Sequence, residues 1–286
     1  MVFIKVVETK SFTKAAEKLH MTQPAVSQAV MNLEKRVGTK LIERNNKEFY
    51  LNKAGEVVFT YGKKIIAHYE HMEVVLNDLK HEPNGVLNIG ASYTIGEYVL
   101  PDILNRLNRQ YPNITPNVCV DNTESIGKRL IQRDIDIGLI EGKFDHPSIE
   151  KKAFASDEMY IFSQKRKDLH IEKKFSSAEL SKMIWLIREK GSGTRKITKQ
   201  FLEEKNIKPK RLFTLGSTQI IKEAVETGLG ISLMSSWVIK KELEQGIIQR
   251  LNVDHTPVVR TFSIIKLRQS FEAKSIRAFE NLLNKS

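Results

Sequence analysis

Gln23, Ser27 and Gln28 bring two amides and a hydroxyl together, with Pro24 and Ala25 between them. An amide donates and accepts at once, so Gln23 and Gln28 can pair with the N6/N7 edge of adenine. Ser27 can do either, and Pro24 and Ala25 can touch a thymine methyl. Thr22, Arg36, Arg44, Lys47 and Lys53 are suited to phosphate oxygens, which fix register and salt dependence rather than sequence. Such residues read duplex DNA when they project from the first turns of a helix in the major groove. Any one of them could equally decorate a solvated helix start. Their combination with the turn, the buried stripe and the wing described next favours DNA reading.

The elements that must hold them are legible on either side. A first helix gathers Phe3, Val6 and Val7. A second runs from about Phe12 to His20, with Ser11 as N-cap and Phe12, Ala15, Ala16 and Leu19 on one buried face. Met21-Thr22 turns the chain, Thr22 caps the third helix, and Pro24 is tolerated in its first turn. Val26, Val30, Leu33 and Val37 form that helix's buried stripe, and Gly38 ends it. Leu41–Arg44 and Phe49–Leu51, joined by the polar tip Asn45-Asn46-Lys47-Glu48, predict a hairpin, the wing of a winged helix-turn-helix. After Asn52-Lys53-Ala54-Gly55 a long helix is expected to about Glu82. Val58, Tyr61, Ile65, Tyr69, Met72, Leu76 and Leu79 recur along it in steps of three and four. That seam, over roughly 40 Å of helix, suits pairing with a second copy. Pro83-Asn84-Gly85 stops the helix as a hinge.

From Val86 strands and helices alternate, which predicts an α/β domain with a mostly parallel sheet. Strands are expected at Val86–Ile89, Ile114–Val120, Ile135–Ile140, Met159–Ser163, Met183–Arg188, Leu212–Leu215, Ile231–Met234 and Thr261–Leu267. Helices are expected after Thr94 through Leu107 and at Ser125–Gln132. This length is generous for one small sheet, so two lobes with crossovers near Met159 and Phe262 are expected. The overall class is α+β multidomain. The divisions are a winged helix-turn-helix over 1–53, a linker helix and hinge over 54–84, and a two-lobed domain over 85–286. Lobe I takes about 85–160 and 263–286, and lobe II about 161–262.

Composition bounds the class without locating the site. The 286 residues are 41% hydrophobic and 28% charged, with one cysteine, Cys119. An intramolecular disulfide and a cysteine metal cluster are therefore excluded. No stretch reaches the ~20 apolar residues of a membrane span. The first residues lack the apolar core and cleavage site of a secretory signal, so a cytoplasmic protein is expected. The net charge of +12 suits a polyanion, yet residues 1–85 hold 13 Lys/Arg against 10 Asp/Glu. Residues 163–264 hold 20 against 11. Charge alone does not mark the DNA face, and the basic middle segment fits a solvated surface or a small-anion site.

Two segments of the larger domain could hold an anion. Ser92-Tyr93-Thr94 follows a strand and opens a helix, where free N–H groups and the helix dipole favour negative charge. Arg188-Glu189-Lys190-Gly191-Ser192-Gly193-Thr194-Arg195 does the same. There the glycines allow close backbone approach and Arg195 offers a bidentate fork. A plain strand-to-helix turn is the competing reading.

Ser11-Phe12-Thr13-Lys14-Ala15-Ala16, Leu19, Thr22–Ser27, Leu33-Glu34, Gly38, Leu41, Arg44 and Ala54-Gly55 together resemble the signature of LysR-type transcriptional regulators. The order of helix-turn-helix, linker helix and two-lobed domain follows the same family over the whole chain. The resemblance implies a periplasmic-binding-protein-like effector domain with a small inducer between its lobes. It also implies promoter DNA as partner, RNA polymerase as a further contact, and a homodimer or homotetramer paired through the linker helix. It places Ser92, Thr94, Glu141, Ser192, Thr194, Arg195, Ser217, Thr218 and Ser235 at the inducer cleft. The Arg188–Arg195 motif resembles the subfamily of carbon-fixation and sulfite-reductase operon activators, which points to an anionic metabolite. The chain departs from the family in a first helix that begins late, expected to weaken helix packing. It also has Asn52 where Thr is common, a change expected to leave the next helix start intact.

No catalytic residues, metal ligands or cofactor are expected. The histidines lack metal spacing, apart from His68 and His71 on the linker helix, which fit a solvated or seam position. Neither a phosphate-binding P-loop nor a nucleophile elbow occurs. A solute-binding protein or an enzyme on the two-lobed fold is the alternative, discriminated by location outside the cytoplasm or by turnover of a bound molecule.

Overall fold

The computed structural model describes residues 1–45, 48–78, 82–165, 173–268 and 272–284. The chain divides into two compact units, Met1–Asn77 and Asp78–Ser286.

In the first unit, α1 (Val2–Thr9), α2 (Phe12–Lys18) and α3 (Gln23–Val37) precede strands β1 (Ile42–Asn45) and β2 (Glu48–Leu51) and helix α4 (Lys53–Asp78). Ser11 accepts from the Lys14 N–H and Thr22 from the Ala25 N–H, so both expected caps are in place. Gly38 closes α3 at φ 77°, a left-handed conformation that favours glycine. Phe3, Ile4 and Val6 of α1 share a core with Ala15, Ala16, Val26, Val30, Leu41 and Ile42. The short first helix thus packs fully into the unit. Val37 corrects the stripe. It is exposed, because α3 outruns the core in its last turn and presents that turn to solvent.

Asn52 caps α4 by accepting from the Gly55 N–H at 2.9 Å, and it ties the wing by donating to the Lys40 carbonyl at 2.8 Å. The amide does what a threonine hydroxyl cannot, serving as donor and acceptor together. Gly55 is required beside it, since a Cβ there would stand 2.1 Å from the Leu41 carbonyl oxygen. The helix therefore starts at Lys53, ahead of the expected Gly55, and Glu82 lies in a bend beyond its described end. Val58 turns toward the core with Phe59 and Ile66, whereas Tyr61, Ile65, Tyr69, Met72 and Leu76 are exposed. Leu79 of the expected seam lies outside the described residues.

The second unit opens with β3 (Gly85–Ser92), α5 (Tyr93–Tyr98), α6 (Leu100–Gln110), β4 (Ile114–Asp121), α7 (Thr123–Ile131) and β5 (Ile137–Glu141). It continues with β6 (Ile149–Gln164), α8 (Ser177–Lys182), β7 (Ile184–Arg188), α9 (Gly193–Glu204), β8 (Arg211–Leu215) and α10 (Thr218–Glu226). Strand β9 (Ser232–Ser235), α11 (Lys240–Glu244), β10 (Ile248–Arg250), β11 (Val258–Leu267) and α12 (Lys274–Leu283) complete it. The helix expected through Leu107 is broken at Val99, where Pro101 enters the first turn of α6.

The sheet is mixed rather than mostly parallel. β3 pairs in parallel with β4 and β5, and β7 and β8 form a separate parallel two-stranded sheet. By contrast β11 pairs antiparallel with β5 and β6, and β6 antiparallel with β9 and β10. The cause is that β6 and β11 run through both lobes side by side in opposite directions. They start earlier than expected, at Ile149 and Val258. In β6 the added stretch includes Glu150-Lys151-Lys152, which is polar and carries no apolar alternation to read. Each lobe keeps its own core. One gathers Ile126, Leu130, Ile140 and Ile265, and the other Met159, Ile161, Trp185 and Leu233.

Candidate nucleic-acid interface and ligand cleft

The start of α3 presents an ordered polar surface. Gln23 donates through Nε2 to Ser27 Oγ at 2.8 Å, and Gln28 to Asn32 Oδ1 at 3.0 Å. Thr22, Gln23, Pro24 and Gln28 are exposed, and Ala25 and Ser27 are half-buried. These i,i+4 bonds hold the amides along the helix surface, which lowers the side-chain entropy lost on docking. Arg36 is exposed on the last turn of α3. Arg44 lies on β1 opposite Phe49. Lys53 opens α4 with its Nζ 3.8 Å from Glu56. Lys47 lies outside the described residues. Glu34 locks the wing to the reading helix, accepting from the backbone N–H of Leu41 at 2.8 Å and of Ile42 at 3.3 Å.

Among the described residues of the second unit, four ionisable side chains are buried between the lobes: Glu141, Asp157, Arg188 and Arg260, each no more than 4% exposed. Arg260 on β11 stands directly opposite Asp157 on β6 in the strand register. Its Nε donates to Asp157 Oδ2 at 2.6 Å, its Nη1 to Thr194 at 2.9 Å and its Nη2 to Thr94 at 3.1 Å. Glu141, at the end of β5, accepts a short hydrogen bond from Ser92 Oγ, and bonds from Thr94 and Thr194 at 3.4 Å each. Ser235 Oγ donates to Asp157 Oδ1 at 2.7 Å. Burial pushes the Asp157 carboxyl up, against the opposing pull of Arg260 and Ser235. A buried charge is tolerated only when paired and hydrogen-bonded in this way.

Arg188 forms the opposite wall. Its Nε and Nη2 donate to Glu189 at 2.7 and 2.9 Å and its Nη1 to Thr218 Oγ1 at 2.8 Å. The guanidinium lies 4.4 Å above the Tyr93 ring. Glu97, exposed close by, has its carboxyl pushed up by partial desolvation against the opposing pull of Arg188 and Lys222. Thr94, Arg188, Thr194, Thr198, Thr218 and Ser235 line the space between, together with Ile187, Ile221 and Met234. Its accessible volume is about 10 Å³, near that of a single water.

Several expected residues take roles other than those the sequence suggested. Arg195 does not join the buried group. Its Nη1 donates to the Arg188 carbonyl and to Thr214 Oγ1 at 3.2 Å, so it braces the turn. Ser92 makes no cap bond to α5 because its hydroxyl is spent on Glu141. Ser192 and Ser217 act as N-caps, accepting from the backbone N–H of Arg195 and Ile220. The glycines of the 188–195 segment accommodate lobe I instead of a ligand. A Cβ on Gly191 would meet Asn122 at 3.0 Å, and one on Gly193 the Glu141 carbonyl oxygen. Sequence reasoning passed over Asp157 and Arg260, and left Arg188 as part of a turn. No local signal marks the first two, since a charged residue on a strand usually faces solvent.

Two family models match: the bacterial regulatory helix-turn-helix protein, lysR family, over residues 1–56, and the LysR substrate binding domain over residues 80–286. The HTH-type transcriptional regulator CysL of Bacillus subtilis (strain 168) is 39% identical over 263 residues, 92% of this chain and 88% of that protein. Among solved structures, full-length CbnR complexed with its target DNA superposes with a TM-score of 0.74 at 19% identity, covering 99% of this chain and 97% of that one. The regulatory domain of CcmR from Synechocystis PCC6803, in complex with 2-PG, gives 0.65 at 23% identity over 71% of this chain and 97% of that one. At those identities the two structures show the fold alone.

Proposed function

The chain belongs to the LysR family of transcriptional regulators, and from that premise we propose that it is switched by a small anionic metabolite seated between Arg188 and the Thr94–Thr194–Ser235 wall. Thr22, Gln23, Pro24, Ala25, Ser27 and Gln28 read base edges, and Arg36, Arg44, Lys47 and Lys53 hold phosphates. The exposed apolar face of α4, from Tyr61 to Leu76, pairs with a second copy. Ligand binding alters the angle between lobes, and through the oligomer the spacing of the DNA-reading helices.

The observation that carries this reading is Arg188, a buried guanidinium beside Thr218 at the start of α10, facing hydroxyls from both lobes across a cleft. Charge-assisted bonds from arginine suit carboxylate and phosphoryl oxygens. The 2-PG bound to the CcmR regulatory domain is an instance of a small metabolite held by this fold. Because the accessible space is small, a ligand must part the lobes to enter, which makes entry a conformational event.

The protein acts without catalysis and in the cytoplasm. Its relatives are regulators of transcription, and no helix among the described residues is long and apolar enough to cross a membrane. Thermal-shift screening of the full chain against a panel of metabolic anions tests the reading, since a bound ligand stabilises the folded state by mass action. At least one anion should raise the melting temperature, and Arg188→Ala should remove that shift. A response confined to neutral compounds would contradict the reading.

A further inference from the structure

Most of the hydroxyl groups lining the cleft have their protons already committed. A hydroxyl carries one proton, a carboxylate only accepts and a guanidinium only donates, so the partners dictate the direction of each bond. Thr94 and Thr194 accept from Arg260, and the acceptor toward which each turns its proton is Glu141 Oε1, 3.4 Å away. Ser235 donates to Asp157, Thr198 to the Thr194 carbonyl, and Ser232 to the Leu186 carbonyl. Of the six hydroxyls on the wall, five therefore point their protons into the protein. Thr218 differs, because it accepts from Arg188 and keeps its proton for the cleft. Arg188 itself has used three of its five N–H bonds among the described residues, which leaves two.

The cleft is polarised as a result. One end, Arg188 and Thr218, offers donors to an anionic oxygen. The other end, Thr94, Thr194 and Ser235, offers lone pairs. Resting on the cleft reading above, we infer that Glu141 and Asp157 determine ligand choice by drawing these protons inward. The site then accepts an anion that brings its own O–H or N–H donor and refuses one that has none. A bare oxyanion would set its oxygens against acceptor lone pairs in a buried site, and a polar group left unpaired there costs its full desolvation. Sites built around a ligand's hydrogen-bonding group reject analogues lacking it far more strongly than apolar pockets reject a missing methylene.

Phosphate and sulfate make the test, because they share shape and size but only phosphate carries a proton near neutral pH. The full chain is titrated calorimetrically with each at matched ionic strength. Calorimetry is preferred to melting here, since both anions also stabilise proteins by exclusion from the surface. Phosphate should bind at least about tenfold more tightly than sulfate. Glu141→Gln supplies an amide donor and frees the Thr94 and Thr194 protons, so it should shrink the difference to about threefold or less, mainly by admitting sulfate. Thr218→Val should weaken phosphate, which places the binding in the cleft. Equal affinities in the unsubstituted protein overturn the inference and leave the anion reading standing. Absence of saturable binding by either ion overturns the inference, while the metabolite panel decides the anion reading. Phosphate binding indifferent to Thr218→Val lies elsewhere and also overturns the inference. The wild-type comparison decides even where Glu141→Gln fails to fold.

Discussion

Gly193 and Glu141 meet backbone to backbone across the cleft: a Cβ at position 193 would stand 2.1 Å from the Glu141 carbonyl oxygen. Both are chain segments of low freedom, one opening α9 and the other ending β5. Gly142, at φ 84°, turns the chain away directly after the contact. Gly193→Ala should therefore force the lobes apart and cost about 1–3 kcal/mol by overpacking. Chemical denaturation of the full chain checks the loss, and unchanged stability would mean that the lobes slide freely past one another.

Gln23 is pre-set by its bond to Ser27. Gln23→Ala should lose about 1–3 kcal/mol of discrimination at particular base pairs, read by binding to a set of single-substituted operator duplexes. Arg36→Ala should instead weaken all duplexes similarly and reduce the slope of log affinity against log salt by about one. Equal loss on random DNA for Gln23→Ala would count against direct readout.

Among the described apolar residues along α4, Ile65 is the most exposed, at 69%. Ile65→Glu should leave the helix intact, because the position touches solvent in the single chain. It should shift self-association at least tenfold toward smaller species by placing an unpaired carboxylate in a buried seam. Analytical ultracentrifugation reads the change, and an unaltered dissociation constant would move the pairing surface elsewhere.

Glu179 closes a capping box with Ser176 at the start of α8. A bond from Lys173, with backbone and hydroxyl bonds from Ser176, holds its carboxyl down at about 2. A folded value below the unfolded one of about 4.3 means the contribution is complete above the unfolded value. It is lost as pH falls through the interval toward 2. Glu179→Gln should flatten the stability profile across that acid interval and leave the slope near neutrality unchanged. An identical acid limb in both proteins would show that the box does not form.

Much of the reading unit was written locally. Ser11, Thr22 and Gly38 mark helix ends by the conformations and bonds their side chains permit, and those need no tertiary context. Asn52 was legible as a cap for the same reason. The tie it adds to the Lys40 carbonyl depends on the wing folding back and could not be read. Val37 failed because periodicity reports a helix face but not where the core stops. Tyr61, Ile65 and Tyr69 were legible as a stripe, whereas Val58 on the same stripe belongs to the core.

The cleft was less legible, and the reason is distance. Ser92, Thr94 and Glu141 end strands or start helices, where a chain reader looks for polar groups. Arg260 and Asp157 are separated by 103 positions in sequence and sit inside strands. Their pairing follows from β6 and β11 crossing between lobes together, and alternation along either strand does not predict it. Arg195 reads as an anion fork in the sequence because it follows a glycine turn. Its Nη1 is bonded to the Arg188 carbonyl and Thr214, while the neighbouring Arg188 lines the cleft.

In the proposed switch the cleft and the DNA are coupled through one conformational equilibrium, in which each ligand alters the other's affinity by the same factor. The most direct measurement is the footprint and affinity of the full chain on its operator, with and without an anion that raises its melting temperature, for the unsubstituted protein and for Thr218→Val. The anion should change the footprint of the unsubstituted protein. In the variant the change should disappear at the same anion concentration, while affinity for the operator in its absence stays within about twofold, less than the ~1.4 kcal/mol of a tenfold effect. A footprint change that persists undiminished in Thr218→Val, or operator binding lost without any anion present, would contradict the account.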